Sequence, residues 1–291
     1  MEDAGYYDEI PTEVAIERFD SGPAVVQAFA GDEVDAAIFG ITPSMVLADQ
    51  GKRASVLAAN SRNGFKVVGT TQLASLYDEH GRESFAQFED ETGRQPRIGA
   101  PPNGSVPDVV LRFWIEERLG FDELLEPIEK PQLPPARVPQ AIEGGELDGA
   151  IIQEPFATII TENDEFEELA WSGDIMTDHP VTVLFVHDRV TEGDSAVAQA
   201  LVEQHARATE LANSQPNVAA EHAASIIGDG VGVPLAEEAM ASAASDFVSD
   251  PAVVADQSDR MAEYVSSLGN TDDIVGSEQL IDRSIYETVA E

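Results

Sequence analysis

The residues best suited to chemistry lie in one stretch, Gly99-Ala100-Pro101-Pro102-Asn103-Gly104-Ser105-Val106-Pro107-Asp108. A strand end there runs into a flexible turn and a helix start, with Ser105 and Asp108 at capping-box spacing. Backbone N–H groups at such a start, here those of Asn103, Gly104, Ser105 and Val106, can cradle an anion without a charged side chain. An ordinary capped loop is the plainer reading. Asn103-Gly104-Ser105 also matches the short glycosylation acceptor pattern, and a glycan there would block a ligand. Three further places offer polar contacts. In Phe39-Gly40-Ile41-Thr42-Pro43, the Thr42 hydroxyl either caps a helix or donates to a ligand. In Asn60-Ser61-Arg62-Asn63, the Arg62 guanidinium can fork a sulfonate, carboxylate or nitrate, or join a surface ion pair. In Gln153-Glu154-Pro155-Phe156, Glu154 can accept a hydrogen bond from a ligand amine or hydroxyl, or serve as an acid favoured at a helix start. Phe39, Phe156 and Trp171 either wall a pocket or sit in the core. These groups suit non-covalent capture of a small ligand.

A reacting centre is harder to assemble. No Gly-x-Ser-x-Gly, His-Glu-x-x-His or phosphate-binding Gly-x-x-x-x-Gly-Lys loop is present. His80, His179, His187, His205 and His222 fall at no shared ligand spacing. Acid pairs such as Asp32/Glu33 and Glu167/Glu168 are adjacent and cannot share a helix face. The chain has no cysteine, which removes thiol nucleophiles, disulfides and cysteine metal sites. The expectation is a binding protein with no cofactor and no metal.

The elements that position these loops are announced by a repeat. Residues 27–39 read Gln-Ala-Phe-Ala-Gly-Asp-Glu-Val-Asp-Ala-Ala-Ile-Phe, and residues 140–152 read Gln-Ala-Ile-Glu-Gly-Gly-Glu-Leu-Asp-Gly-Ala-Ile-Ile. Each copy is a helix end, a glycine stop, an Asp and a buried strand, followed by Thr42-Pro43 or Glu154-Pro155. Repetition at this spacing implies two similar α/β lobes with a ligand cleft between them. The expected fold is two-lobed, with doubly wound parallel sheets and two hinge crossings near 65–70 and 181–186. Lobe one takes residues 1–69 and 187–291, and lobe two takes 70–186. Glu13 to Phe19 alternates as a strand, a helix opens at Ser21-Gly22-Pro23, and from about Ala196 the chain reads as helical. A sheet of this kind also needs a central strand before its first helix, and none is read ahead of residue 13. That strand would bring a ligand loop with it.

Charge sets the surroundings. The chain has 55 Asp and Glu against 16 Lys and Arg, a net charge of −39, and its only lysines are Lys52, Lys66 and Lys130. The acids are dispersed, and the 43% hydrophobic content suffices for a core. A folded protein from concentrated salt fits best, because at ~1 M salt the Debye length is about 3 Å and self-repulsion is screened. Nucleic acid is excluded as a partner for want of a basic face. No apolar run reaches the ~20 residues of a membrane span, and Met1-Glu2-Asp3 does not open a signal peptide.

Gly5-Tyr6-Tyr7-Asp8-Glu9, Val14 to Phe19, Ser21-Gly22-Pro23, the Gly31 to Asp35 phrase, Gly40-Ile41-Thr42-Pro43, the 99–106 loop and Glu154-Pro155 resemble, in that order, ABC-transporter substrate-binding proteins of the nitrate/sulfonate/taurine group. The resemblance covers roughly residues 1–190. It implies a type II periplasmic-binding fold and a permease and ATPase as partners. It also implies display at the extracellular face of the membrane, reached through the permease or an anchor. Its ligands would be small anions such as nitrate, alkanesulfonates and taurine, or pyrimidine thiamine precursors. Gly40, Thr42, Asn60, Arg62, Asn103, Gly104, Ser105, Val106, Gln153 and Glu154 would line the site. The rival readings are an enzyme of menaquinone biosynthesis on the same fold, or a ligand-sensing domain. Thiamine-pyrimidine synthases share the fold too, but their cysteine-rich motif has no counterpart here.

Overall fold

The computed structural model describes residues 1–19, 22–193, 195–228 and 230–290. It divides into two compact units: Met1–Arg62 with Asp178–Ala241 and Asp246–Glu291, and Asn63–Thr177 with Ser242–Ser245. The chain leaves the first unit after Arg62 and returns after Thr177. These changeovers precede the crossings read from sequence near 65–70 and 181–186.

A 3-10 turn at Tyr6–Glu9 is followed by α1 (Gly22–Ala30), β1 (Ala36–Gly40), α2 (Ile41–Asp49) and β2 (Ala54–Arg62). Next come β3 (Lys66–Thr70), α3 (Thr71–His80), α4 (Ser84–Thr92), β4 (Ile98–Gly99), α5 (Val106–Phe113) and α6 (Val138–Glu143). The second unit continues with β5 (Gly149–Ile152), α7 (Phe156–Thr161), β6 (Phe166–Trp171) and α8 (Ser172–Ile175). The first resumes with β7 (Pro180–His187), α9 (Asp188–Gly193), α10 (Ser195–Ser214), α11 (Pro216–Ile227), α12 (Val233–Ala241), β8 (Asp246–Phe247) and α13 (Ala255–Ser267).

Each unit holds one four-stranded sheet, ordered β1-β7-β2-β8 in the first and β4-β5-β3-β6 in the second. The strand–helix rhythm predicts parallel sheets, and the structure modifies this. The returning strand β7 inserts between β1 and β2 and pairs antiparallel with both. β1 and β2 therefore run the same way without touching. In the second unit β4 and β5 are parallel, while β3 is antiparallel to both of its neighbours. β7 tolerates the central place because Val183, Leu184, Phe185 and Val186 are all buried, the continuous apolar run that a strand covered on both faces requires. Leu184 and Val186 pack with Leu57, Ala58, Ala198 and Val202. The second core gathers Val68, Ile142, Ala150, Ile152, Ile160 and Phe166.

Two local expectations change. Glu13 to Phe19 takes no regular secondary structure and joins no sheet. The helical tail is interrupted by the small strand β8, which pairs with Ser61 and Arg62.

The repeat is structural down to its hydrogen bonds. After α1, the Glu33 N–H bonds the Ala28 carbonyl at 2.9 Å; after α6, the Glu146 N–H bonds the Ala141 carbonyl at 2.9 Å. This six-to-one bond needs a left-handed residue just before the donor. That residue is Asp32 (φ 60°) in one copy and Gly145 (φ 67°) in the other. In the first copy the turning residue is thus Asp32, not Gly31. The Asp that follows each turn offers its carbonyl to a neighbouring strand end: Asp35 accepts from His187 N–H, and Asp148 from Thr70 N–H.

Candidate ligand-binding site

In the second unit, the 99–108 stretch is built as a strand end, a turn and a helix start. Gly104 turns with φ 80°, and Ser105 takes the extended N-cap conformation ahead of α5. The capping box does not form. Asp108 reaches back to the Gly104 N–H at 2.9 Å, and the Ser105 hydroxyl makes no cap bond. The Ser105 N–H bonds the Pro102 carbonyl at 3.1 Å. Two of the four backbone donors expected to hold an anion, those of Gly104 and Ser105, are therefore used inside the loop. The Ser105 hydroxyl has no hydrogen-bond partner, and its oxygen is buried.

A cation holds this loop in place. Lys130 pairs with Asp108, both almost fully buried, and also donates to Asn103 Oδ1 at 2.6 Å. Arg112, one turn along α5, adds a longer contact to Asp108 at 3.5 Å. Asn103 is thus a ligand of Lys130 and of Gln132 in this structure. Val106 is buried at the first turn of α5.

The Glu154 side chain, just past the end of β5, is 7% exposed and works within its own unit. Its Oε2 accepts from the N–H and the hydroxyl of Thr158 at 3.0 and 2.8 Å, capping α7. Its Oε1 lies 3.5 Å from Lys66 Nζ. Of the alternatives open in sequence, the helix-start acid is the geometry found. Gln153 is half-buried beside it, and its carbonyl accepts from Ala157. The Glu154–Pro155 peptide is cis. Phe156 packs against the core cluster, and Trp171 donates from Nε1 to the Asn63 carbonyl at 2.9 Å.

In the first unit, α2 starts at Ile41 with Gly40 as its N-cap, so Thr42 lies inside the helix, buried, and is not the cap. The polar turn expected at residues 60–64 begins later, because Asn60, Ser61 and Arg62 extend β2. Asn60 donates to Thr182 Oγ1 at 2.7 Å, and Ser61 shares that oxygen at 2.6 Å. Arg62 is held by Asp246 (2.8 Å) and Asp178 (3.0 Å), the ion-pair alternative. An anion seeking its guanidinium must compete with two carboxylates. Phe39 sits in the core against Phe185.

Lys66 and Lys130 were not singled out from sequence as site residues. A signal was present: a chain nearly devoid of lysine keeps three, and all three are paired. Lys52 meets Asp32, Lys66 meets Glu154 and Glu168, and Lys130 meets Asp108. None has a side chain more than 17% exposed, so each serves a carboxylate rather than a solvated surface. Asp148 has no lysine and takes arginine instead. Burial alone would raise its carboxyl, but hydrogen bonds from Arg94 and the Arg97 N–H, with both positive charges, hold it below the ordinary carboxylate range. Among the described residues, no group of three His, Asp or Glu is placed to hold a metal ion. Among them, too, no helix is long and apolar enough to cross a membrane.

Two α/β units, one on an antiparallel sheet and the other on a mixed sheet, with helices carrying candidate contacts at strand ends, define a class of ligand-binding fold. The chain belongs to the NMT1-like family, whose profile matches residues 1–228. Solved structures share the fold along the whole chain. The periplasmic nitrate-binding protein NrtA from Synechocystis PCC 6803 matches with a TM-score of 0.80 at 14% identity, over 99% of this chain and 83% of that one. The alkanesulfonate-binding protein SsuA from Xanthomonas axonopodis pv. citri, bound to MOPS, matches at 0.76 and 14%, over 97% and 92%. A zinc-bound ligand-binding component of an ABC-type import system from Staphylococcus aureus matches at 0.73 and 15%, over 98% and 92%. No curated protein sequence matches the chain.

Proposed function

We propose that this protein is the extracytoplasmic solute-binding component of an ABC importer. It captures a small anion of the nitrate, sulfonate or taurine class, or a pyrimidine precursor of thiamine, and delivers it to a permease driven by an ATPase. Its place of work is the outer face of the membrane, and its role is binding rather than catalysis. The observation that carries this reading is the loop before α5. A buried Lys130–Asp108 pair fixes the backbone there and leaves the Ser105 hydroxyl without a hydrogen-bond partner at a helix N-terminus. A helix start favours negative charge, and a fixed donor needs no reorganisation to accept it. The match to nitrate- and alkanesulfonate-binding proteins supports the same class of cargo. A net charge of −39 does not oppose it in brine, where long-range repulsion is screened within about 3 Å at ~1 M salt.

A thermal-shift panel in ~2 M KCl tests the proposal, with nitrate, taurine, short alkanesulfonates, bicarbonate and aminopyrimidines. A true cargo at 100 times its Kd stabilises the native state by about 2.7 kcal/mol. Ser105→Ala is expected to weaken that compound at least tenfold while the unliganded melting temperature changes little. If no compound shifts the intact protein, the uptake reading fails for these ligands and weight moves to the enzyme or sensor alternative.

A further inference from the structure

Lys130 is the most deeply buried of the three lysines, its side chain 4% exposed against 15% for Lys52 and 17% for Lys66. Lys52 and Lys66 are held by carboxylates, with a backbone carbonyl added at Lys52. Lys130 meets a carboxylate and a side-chain carboxamide together. Its Nζ pairs with Asp108 Oδ1 and donates to Asn103 Oδ1 at 2.6 Å. A carbonyl bond is about 1.23 Å long, so Cγ of Asn103 lies within about 3.8 Å of Nζ, close to a near-attack separation.

The backbone holds the three groups in place. Residues 129–133 run beside 98–100, where the Ile98 N–H bonds the Glu129 carbonyl at 2.9 Å and the Leu133 N–H bonds the Ala100 carbonyl at 3.1 Å. The Gly104 N–H donates to Asp108 Oδ2 at 2.9 Å, which leaves Oδ1 turned to Lys130. Gln132 Nε2 donates to the same Asn103 oxygen at 3.1 Å. An amine, a carboxamide, a buried carboxylate to move protons and a donor on the carbonyl oxygen are the parts of an acyl transfer.

We propose that Lys130 and Asn103 join in an intramolecular isopeptide bond, with Asp108 as the catalytic proton carrier. Passing one proton from the ammonium to Asp108 exchanges two buried charges for a neutral amine and a neutral acid. The freed Nζ lone pair attacks Cγ, and the carbonyl electrons move onto Oδ1, where Gln132 donates. Asp108 gives its proton to Nδ2 and takes one from Nζ. The Cγ–Nδ2 bond breaks as the carbonyl re-forms, and ammonia leaves to solvent, which the exposed Asn103 already meets. The departing ammonia takes the last proton from Asp108 and becomes ammonium, so an amide replaces the lysine charge. No oxidant or cofactor enters the balance. The link joins positions 27 apart and restricts the unfolded chain as a disulfide would, in a chain that has no cysteine. It is independent of what the loop before α5 binds.

Mass spectrometry tests this on the purified chain, kept folded in ~2 M KCl, where self-repulsion is screened, and then denatured. The intact mass is expected to fall short of the sequence by one ammonia. Cleavage after glutamate should release one branched peptide carrying residues 103 and 130. Lys130→Arg and Asn103→Ala should each show the full mass and no branched peptide. Asp108→Asn keeps both reacting groups and should also show the full mass while circular dichroism reports a folded chain. A full mass in the unaltered protein overturns the proposal. So does loss of ammonia without the branched peptide, which assigns the change to a cyclic imide between Asn103 and Gly104. A branched peptide from folded Asp108→Asn overturns the role of Asp108. The bond itself is decided on the unaltered chain, so a variant that fails to fold does not shield it.

Discussion

Asp35 and Asp148 occupy the same place in two copies of one sequence phrase, follow the same helix-ending bond and feed the same kind of strand. Their surroundings differ completely. The Asp148 side chain is 10% exposed and takes both nitrogens of Arg94, at 2.5 and 2.8 Å, and the Arg97 N–H at 2.8 Å. The Asp35 side chain is 69% exposed and meets Arg189 at 2.7 Å, in a surface group with Asp32, Lys52 and His187. The strands beyond differ in the same sense. β5 lies inside its sheet, and a Cβ on Gly149 would sit 2.4 Å from the Val68 carbonyl. β1 is an edge, and Ala36 stands at the matching position. A repeated phrase therefore specifies a backbone unit, while the energetic weight of its carboxylate depends on what the sheet places around it.

The contrast can be broken most severely at Asp108, the more deeply buried aspartate of the second unit. Lys130→Met leaves Asp108 charged and buried with only Arg112 at 3.5 Å, and should cost about 3 kcal/mol in chemical denaturation. Combining it with Asp108→Asn should recover most of that loss, since no lone charge is then buried and the amide oxygen can still accept from Gly104. Asp148→Asn should follow at about 2 kcal/mol, reduced because the Arg94 side chain is 38% exposed.

Acid titration in ~1 M salt sharpens the comparison. The folded Asp148 carboxyl is depressed, so its contribution is complete above the unfolded value of about 3.9 and disappears as pH falls through the lower folded value. His205 acts earlier. Desolvation lowers its folded pKa, despite its 2.7 Å bond to the Ala59 carbonyl, so the unfolded chain takes the proton first and stability declines once pH drops below about 6.5. Unfolding midpoints against pH should show the histidine limb absent in His205→Gln and the carboxylate limb absent in Asp148→Asn. The smallest effect belongs to Asp35→Asn. It should change stability by no more than about 0.5 kcal/mol in low salt and by nothing measurable at ~1 M, where surface pairs are screened.

Much of the fold was legible. The apolar runs at 36–39, 66–68, 149–152 and 181–186 are strands, and the glycine and proline breaks mark the helix ends. Less of the candidate site was. Ser105 lies at a helix start as its spacing implied, but the reach of Asp108 to Gly104 and Lys130 depends on a residue 22 positions away. Arg62 read equally well as an anion fork and as an ion pair, and only the arrival of Asp178 and Asp246 decided between them. Glu154 likewise became a helix cap once Thr158 and Lys66 were in place.

By itself the sequence determined what is local: periodicity, helix stops, the repeated turn, the acidic surface and the order of motifs. Backbone sterics and nearest-neighbour hydrogen bonds act over a few residues, and a linear reading contains them. The tertiary structure alone decided strand order, with β7 set between β1 and β2, the partners of each charge, and the open edge of β1. Those outcomes rest on groups distant in sequence competing for the same hydrogen bonds and the same buried space.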